Sequence, residues 1–276
     1  PREPEHLESL GAYLYGQHKL DESQATWAKL LKLVKPRSQA HLRLARILRD
    51  HHFDKDAALH FGKAVELSPD DPEVLAAVAE WKEHLRLPNE AIVLWDKILA
   101  VDPEQKHEET HKAVDRLLEL LSEVGQLRGR VEGYAGHVGS KDLGLGESIL
   151  GLRGLARLGH VTDALEAGLK DASLRNYPTP ILYALLGVAR RGGDHEQILK
   201  FIQLIKENDA RADVTLDVER AELLIRLSRE VEAREVLAGV LARAPGDTDT
   251  LRRIADLFER LGAIGDAADT LRRALE

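Results

Sequence analysis

The chain has 276 residues, 43% of them apolar and only 4% aromatic, with a formal net charge of −8 and no cysteine. There is apolar material for a continuous core, while disulfide scaffolds, CxxC redox motifs and Cys-based zinc sites are excluded. The acidic balance argues against a non-specific nucleic-acid binder, and no apolar run reaches the roughly 18 residues of a membrane span.

In chain order, residues 1–36 read as a helix pair. Leu7, Leu10, Gly11 and Leu14 form the first stripe, Lys19-Leu20-Asp21-Glu22 the turn, and Trp27, Leu30 and Leu31 the second stripe. Small Gly11 lets the paired helix come close. Residues 38–69 repeat the plan, with Ser38 as a cap, then His41, Leu44, Ala45 and Leu48 at helical spacing. A turn at Phe53-Asp54-Lys55-Asp56 follows, then Ala57, Phe61, Ala64 and Val65, and Pro69 closes the pair. Residues 70–103 do so again through Leu75, Val78, Ala79, Ala91, Trp95 and Ile98. Residues 104–111 read as an insertion of about six. The next stripe is Leu117, Leu118, Leu121 and Val124, followed by a poor helix, GRVEGYAGHVG, because glycine costs about 1 kcal/mol against alanine inside a helix. The pattern returns in 146–176 (Leu152, Leu155, Ala164, Leu165) and 178–209 (Leu182, Leu185, Leu186, Ile198, Ile202, Ile205). We expect three regions: 1–103, a divergent 104–145 with a glycine-rich joint near 133–146, and 146–276. The joint is the place for a change of curvature or a hinge.

Ala57, Phe61, Ala64 and Pro69 recur as Ala91, Trp95, Ile98 and Pro103, every offset being 34 residues. A period of that length with paired helices marks a helix-turn-helix repeat array. With Ala45 and Ala79 added, the set resembles the tetratricopeptide repeat (TPR) family. Ala221, Ala233, Leu237, Val240 and Pro245, then Ile254, Ala255, Ala267, Leu271 and Ala274, fit the same slots with Leu in the aromatic one. The resemblance implies an all-α fold, a right-handed α-solenoid of about eight antiparallel helix pairs, whose first helices line a concave groove that receives a partner. Ala57 and Ala91 should lie where helices almost touch, so that Leu at either would overpack and cost on the order of 1–3 kcal/mol.

Three stretches hint at chemistry. His107-Glu108-Glu109-Thr110-His111 matches HExxH, in which two histidines one helical turn apart hold zinc and the glutamate activates water. Charged Glu109, and Asp115 and Leu118 where a metzincin needs Gly and His, favour a solvated first helical turn with acids near its N-terminus. Gly133 to Lys141, GYAGHVGSK, looks like a phosphate loop but has the lysine after the serine and no preceding strand. His41, His51, His52, His60 and His84 spread over several faces in the repeat register, which favours structural or surface roles. Trp27 and Trp95 take the aromatic core slot, and Trp81 packs between helices. No catalytic residue, metal or cofactor is implied.

The helical phase opposite the core stripe points to groove residues. They are Leu42, Arg46 and Arg49, then Glu73, Ala76, Glu80 and Glu83, and further on Ile149, Arg153 and Arg157. Tyr183, Arg190 and Arg191, Glu222 and Arg226, and Arg252, Asp256 and Arg260 complete the face. An acidic patch thus sits in the third repeat. Ile149, Arg153, Arg157, Tyr183, Arg190, Arg191 and Arg226 form a candidate partner site, since arginine forks bind carboxylates and tyrosine beside arginine is hot-spot composition. Glu8 and Ala12 stand where a chaperone-binding carboxylate clamp wants Lys and Asn, so that function is not expected. The reading is a non-enzymatic, cytoplasmic adaptor or scaffold for a protein partner, a peptide or a folded regulator such as a small GTPase, met through an acidic segment or face. The alternative is the scaffold part of a larger enzyme or of a secretion, envelope or polarity machine. A zinc hydrolase on His107 and His111 would bind zinc stoichiometrically and lose activity in Glu108→Gln. An RNA-binding array would show steep salt dependence. Pro1 is not a natural start and methionine is absent, so we expect either a segment of a longer protein or replaced methionines.

Overall fold

The computed structural model describes residues 3–138, 143–169, 177–209, 213–243 and 247–275, and these contain helices and turns but no strand. The first pair is α1 (Pro4–Gly16) and α2 (Leu20–Trp27), followed by a single turn, α3 (Leu30–Leu33). The next pairs are α4 (Arg37–Asp50) with α5 (Asp54–Leu67), and α6 (Pro72–His84) with α7 (Pro88–Val101). Then come α8 (Glu108–Glu123) and α9 (Leu127–Ala135), α10 (Leu145–Arg157) and α11 (Val161–Leu169), and α12 (Thr179–Gly192) and α13 (His195–Asn208). The last are α14 (Val214–Arg226) with α15 (Glu230–Ala242), and α16 (Thr248–Arg260) with α17 (Ile264–Leu275).

One backbone feature marks every junction inside a pair. His18, His52, Arg86, Gly125, Gly159, Gly193, Ser228 and Gly262 all have positive φ, between 58° and 90°. Each lies just past the end of a first helix. At all of these except Gly193 the next N–H donates back to a carbonyl five residues earlier, as Phe53 does to Leu48 (2.8 Å) and His160 to Leu155 (2.9 Å). This is the hydrogen bond that satisfies an orphaned helix-end carbonyl once the chain turns left-handed. Successive marks stand 34 or 35 residues apart, except for 39 between Arg86 and Gly125. In this register the insertion is five residues, one shorter than expected.

The expected core slots are filled. Ala57, Phe61, Ala64, Ala91, Trp95 and Ile98 are at most 1% exposed, as are Ala221, Ala233, Leu237 and Val240. Trp27 is fully buried over Gly11, where a Cβ would come within 2.0 Å of its indole Nε1. Trp81 is buried and stacks on Phe61 with ring centroids 5.5 Å apart. Two expected core residues are exposed: Leu10 at 41% and Leu271 at 45%. They lie in the first and last described pairs. The second helix of the first repeat is also not continuous. Ser23 and Thr26 turn their hydroxyls onto the Leu20 and Glu22 carbonyls (2.8 and 2.7 Å), the back-bonding that bends helices, and α2 stops at Trp27.

The chain divides into two compact units. Unit 1 is residues 1–131 with 141–150, and unit 2 is residues 132–140 with 151–276. The boundary runs through α9 and α10. Within the glycine-rich stretch, Gly146 is pressed on Leu99, and Gly151 on Tyr134. Gly129, Gly133 and Gly136 have nothing within 4 Å of an added Cβ. Residues 139–142 of the expected joint, which include Gly139, Ser140 and Lys141 of the phosphate-loop lookalike, lie outside the described residues, as does Pro245.

Candidate functional site

The charged faces of the two units are organised differently. In unit 1, first helices of neighbouring pairs touch, and their charges pair across that seam. Arg43 of α4 reaches Glu5 (2.8 Å) and Glu8 of α1, and those two carboxylates hold its guanidinium charged well above the ordinary range. Glu73 of α6 accepts from Gln39 (2.8 Å) and Arg46 (3.3 Å) of α4. Lys112 of α8 meets Glu80. Glu83 holds Arg116 of α8 and also accepts from the Trp95 indole at 2.7 Å. The acidic patch of the third repeat is therefore engaged by the chain itself.

The same seam corrects part of the expected groove. Leu42 is fully buried, Ala76 is 5% exposed and Ile149 is 6% exposed. Periodicity found the side of each helix that meets its own partner. It did not register that a neighbouring first helix also covers the position five residues in.

HExxH is not a zinc pair. His107 precedes α8 with extended backbone, φ −105° and ψ 145°, so it is not one helical turn below exposed His111. Its ring Nδ1 lies 3.2 Å from Asp102, a buried carboxylate that also accepts from the Lys106 and His107 N–H groups (3.0 and 2.9 Å) and from the Thr110 hydroxyl. Burial pushes the Asp102 carboxyl up, but the donors from Thr110, His107 and Lys106 outweigh it and bring it to about 2. The stretch is a helix N-terminus closed by a carboxylate from the insertion. Glu108 and Glu109 stand in its first turn as expected. Among the described residues no group of three or more potential metal ligands is found. The histidines do hold one surprise: His41 and His60 share a hydrogen bond, Nδ1 to Nδ1, at 2.8 Å.

Unit 2 carries the expected partner residues. Tyr183 of α12 is 40% exposed; burial, then Asp209 and Asp213, push its hydroxyl above the ordinary tyrosine value. Arg190 is paired with Glu219 of α14, Nε to Oε1 at 2.9 Å. Arg153 is partly buried and has partners of its own. Arg157, Arg191 and Arg226 are exposed and make no ion pair among the described residues. Arg190 and Arg226 line a cavity of about 330 Å³ together with His195, Ile198, Glu219, Glu222 and Leu223. Here two of the expected residues come together. Sequence reasoning missed Asp217, buried in α14, which holds Lys206 and Arg243 at once.

Helix pairs stepped by 34 residues, an alanine where paired helices meet and a following aromatic under the next pair make this a TPR-like helical array. No family model matches the sequence, and no curated protein matches it. Solved structures match in fold. A tetratricopeptide repeat protein from Parabacteroides merdae is 12% identical, with 99% of each chain covered and a TM-score of 0.38. PilF of Pseudomonas aeruginosa is 18% identical, with 84% of this chain and 88% of that one covered and a TM-score of 0.42. A chain in the structure of Naa15/Naa10 bound to HypK-THB is 15% identical at a TM-score of 0.41, and the present chain covers 41% of its length.

Proposed function

We propose that this protein is a non-catalytic scaffold that binds a protein partner, and that the partner presents an acidic segment to unit 2. One observation carries the reading. Unit 1 neutralises its charged first-helix faces internally; unit 2 does so for Arg190 and Arg253 but leaves Arg157, Arg191 and Arg226 exposed with no ion pair among the described residues. Arginine forks suit carboxylates, and arginine is enriched where interface binding energy concentrates. The test is affinity capture with wild-type protein and with Arg191→Glu/Arg226→Glu as baits. Proteins retained by the wild type and lost from the double variant are expected. If the same proteins are captured equally by both, unit 2 does not receive them through these arginines. Capture of none by either bait would remove the scaffold reading.

A further inference from the structure

The unpaired arginines of unit 2 occupy one repeated position. Arg157, Arg191, Arg226 and Arg260 each stand two residues before a left-handed junction residue, namely Gly159, Gly193, Ser228 and Gly262. Each lies at the end of the first helix of its pair, in α10, α12, α14 and α16. All four are exposed, and none makes an ion pair among the described residues. A cation in a last helical turn is favoured by the helix dipole, which could be the whole explanation. Unit 1 shows that the fold does not require it. The equivalent position there holds Gly16, Asp50, His84 and Glu123, two of them opposed to the dipole.

Nearby carboxylates are already engaged. Asp163 lies 3.3 Å from His160, Asp194 caps the Gln197 N–H at 3.1 Å, and Glu232 holds Arg229 at 2.7 Å. The four arginines therefore form a row along the junction edge of unit 2. Packed helix axes are about 8–10 Å apart, so neighbouring rungs are separated by roughly one turn of polyproline II, three residues at about 3.1 Å each. Arg226 also lines a cavity of about 330 Å³ whose two carboxylates are taken, Glu219 by Arg190 and Glu222 by Arg253.

We infer that this row binds one acidic polypeptide segment in the polyproline II conformation, with a carboxylate at every third residue and so all on one face. The inference rests on the scaffold reading above and gives the partner its chemistry: four carboxylates for four guanidinium groups. A nucleic acid would also find the arginines, but the chain as a whole is acidic.

The test uses the peptide Glu-Thr-Ser-Glu-Thr-Ser-Glu-Thr-Ser-Glu, fluorescently labelled, titrated with the whole chain and read by anisotropy at low and moderate salt. An isomer with its four glutamates contiguous and an oligothymidylate are the controls. We expect the spaced peptide to bind at least about fivefold tighter than the isomer. Each single change among Arg157→Gln, Arg191→Gln, Arg226→Gln and Arg260→Gln should weaken it about two- to fivefold, and the fourfold variant should abolish binding. Because all four side chains are exposed, circular dichroism and thermal melting of the variants should match the wild type. Equal affinity for both peptides, or undiminished binding by the fourfold variant, overturns the row. Tighter binding of the oligothymidylate than of the spaced peptide assigns it to nucleic acid instead. If affinity capture retains its partners with the fourfold variant as bait, the row fails and the scaffold reading survives.

Discussion

Unit 1 and unit 2 are built from the same pair of helices, and unit 2 adds a set of charges that unit 1 lacks. In unit 1, Arg43, Lys112 and Arg116 each reach back to a carboxylate on the preceding first helix, and Arg46 reaches forward to Glu73 on the next. In unit 2, Arg190–Glu219 and Arg253–Glu222 join first helices in the same way, but Arg157, Arg191, Arg226 and Arg260 stand in a repeated place with no ion pair among the described residues. The difference separates charge that joins repeats from charge that the fold does not consume. A repeat array depends on nearest-neighbour contacts, so a cross-repeat pair serves cohesion, while a row left unpaired is available to a partner.

The contrast breaks first at Asp217. This carboxylate in unit 2 is buried between Lys206 and Arg243. Asp217→Ala should cost about 1.5–3 kcal/mol, since two charge-assisted hydrogen bonds are lost while the cations can turn to water, and urea unfolding would measure it. A loss below about 1 kcal/mol would mean the triad is not a structural joint.

Next comes Gly11→Ala in unit 1. The new methyl would meet the Trp27 indole, for an expected cost on the order of 1–3 kcal/mol. Gly133→Ala in α9 has open space and should stabilise by up to about 1 kcal/mol. Equal effects of the two changes would count against the packing described for Trp27.

Glu83→Ala sharpens the comparison directly. It removes the acceptor for both Arg116 and the Trp95 indole and should cost about 1–3 kcal/mol, the penalty for a buried donor left without a partner. Arg226→Ala, an exposed residue of unit 2, should lie within about 0.5 kcal/mol of wild type. Thermal melts of both variants side by side would show whether the two kinds of charge differ as claimed.

A pH effect should belong to unit 1. Burial, then the neighbouring His41 and Lys63, bring the His60 imidazole down to about 4, although Asp56 pulls the other way; burial, Lys63 and Arg37 lower His41 as well. Imidazoles that resist protonation in the folded chain favour folding fully above the ordinary value near 6.5. That contribution is lost as pH falls from there toward about 4. Urea midpoints should therefore drop between pH 7.5 and 5, and the drop should shrink in His41→Gln/His60→Gln. An unchanged slope in the double variant would place the pH effect elsewhere.

The pairing of helices was legible because Ala57, Phe61 and Ala64 recur at a fixed interval, and burial of a side chain against its own partner helix leaves a periodic trace. Burial by the next repeat leaves a fainter one, so Leu42 and Ile149 read as open and are closed. A usable signal was present: Gln39 with Glu73, and Glu8 with Arg43, are complementary residues 34 and 35 apart. Scanning for complementary polar residues about one repeat apart would have pointed to the seam. The Asp102 cap was not legible, because it depends on the five-residue insertion folding back, with Gln105 in a left-handed conformation. Arg157, Arg191 and Arg226 were each picked as groove residues. Their common position, and Arg260 with it, emerged only when the left-handed junctions supplied a register.

Those junctions also make the chain divisible. Removing residues 53–86 would join His52 to Leu87, so that α4 would be followed by α7 through the same left-handed turn, with Ala91 arriving in the slot of Ala57. The length of the array can in this way be altered in whole steps without rewriting any turn, and a shortened chain that keeps its helicity and cooperative melting would show the step to be a unit of construction. Where charge alone distinguishes one step from another, recognition can be added or erased a rung at a time while the architecture is left as it stands.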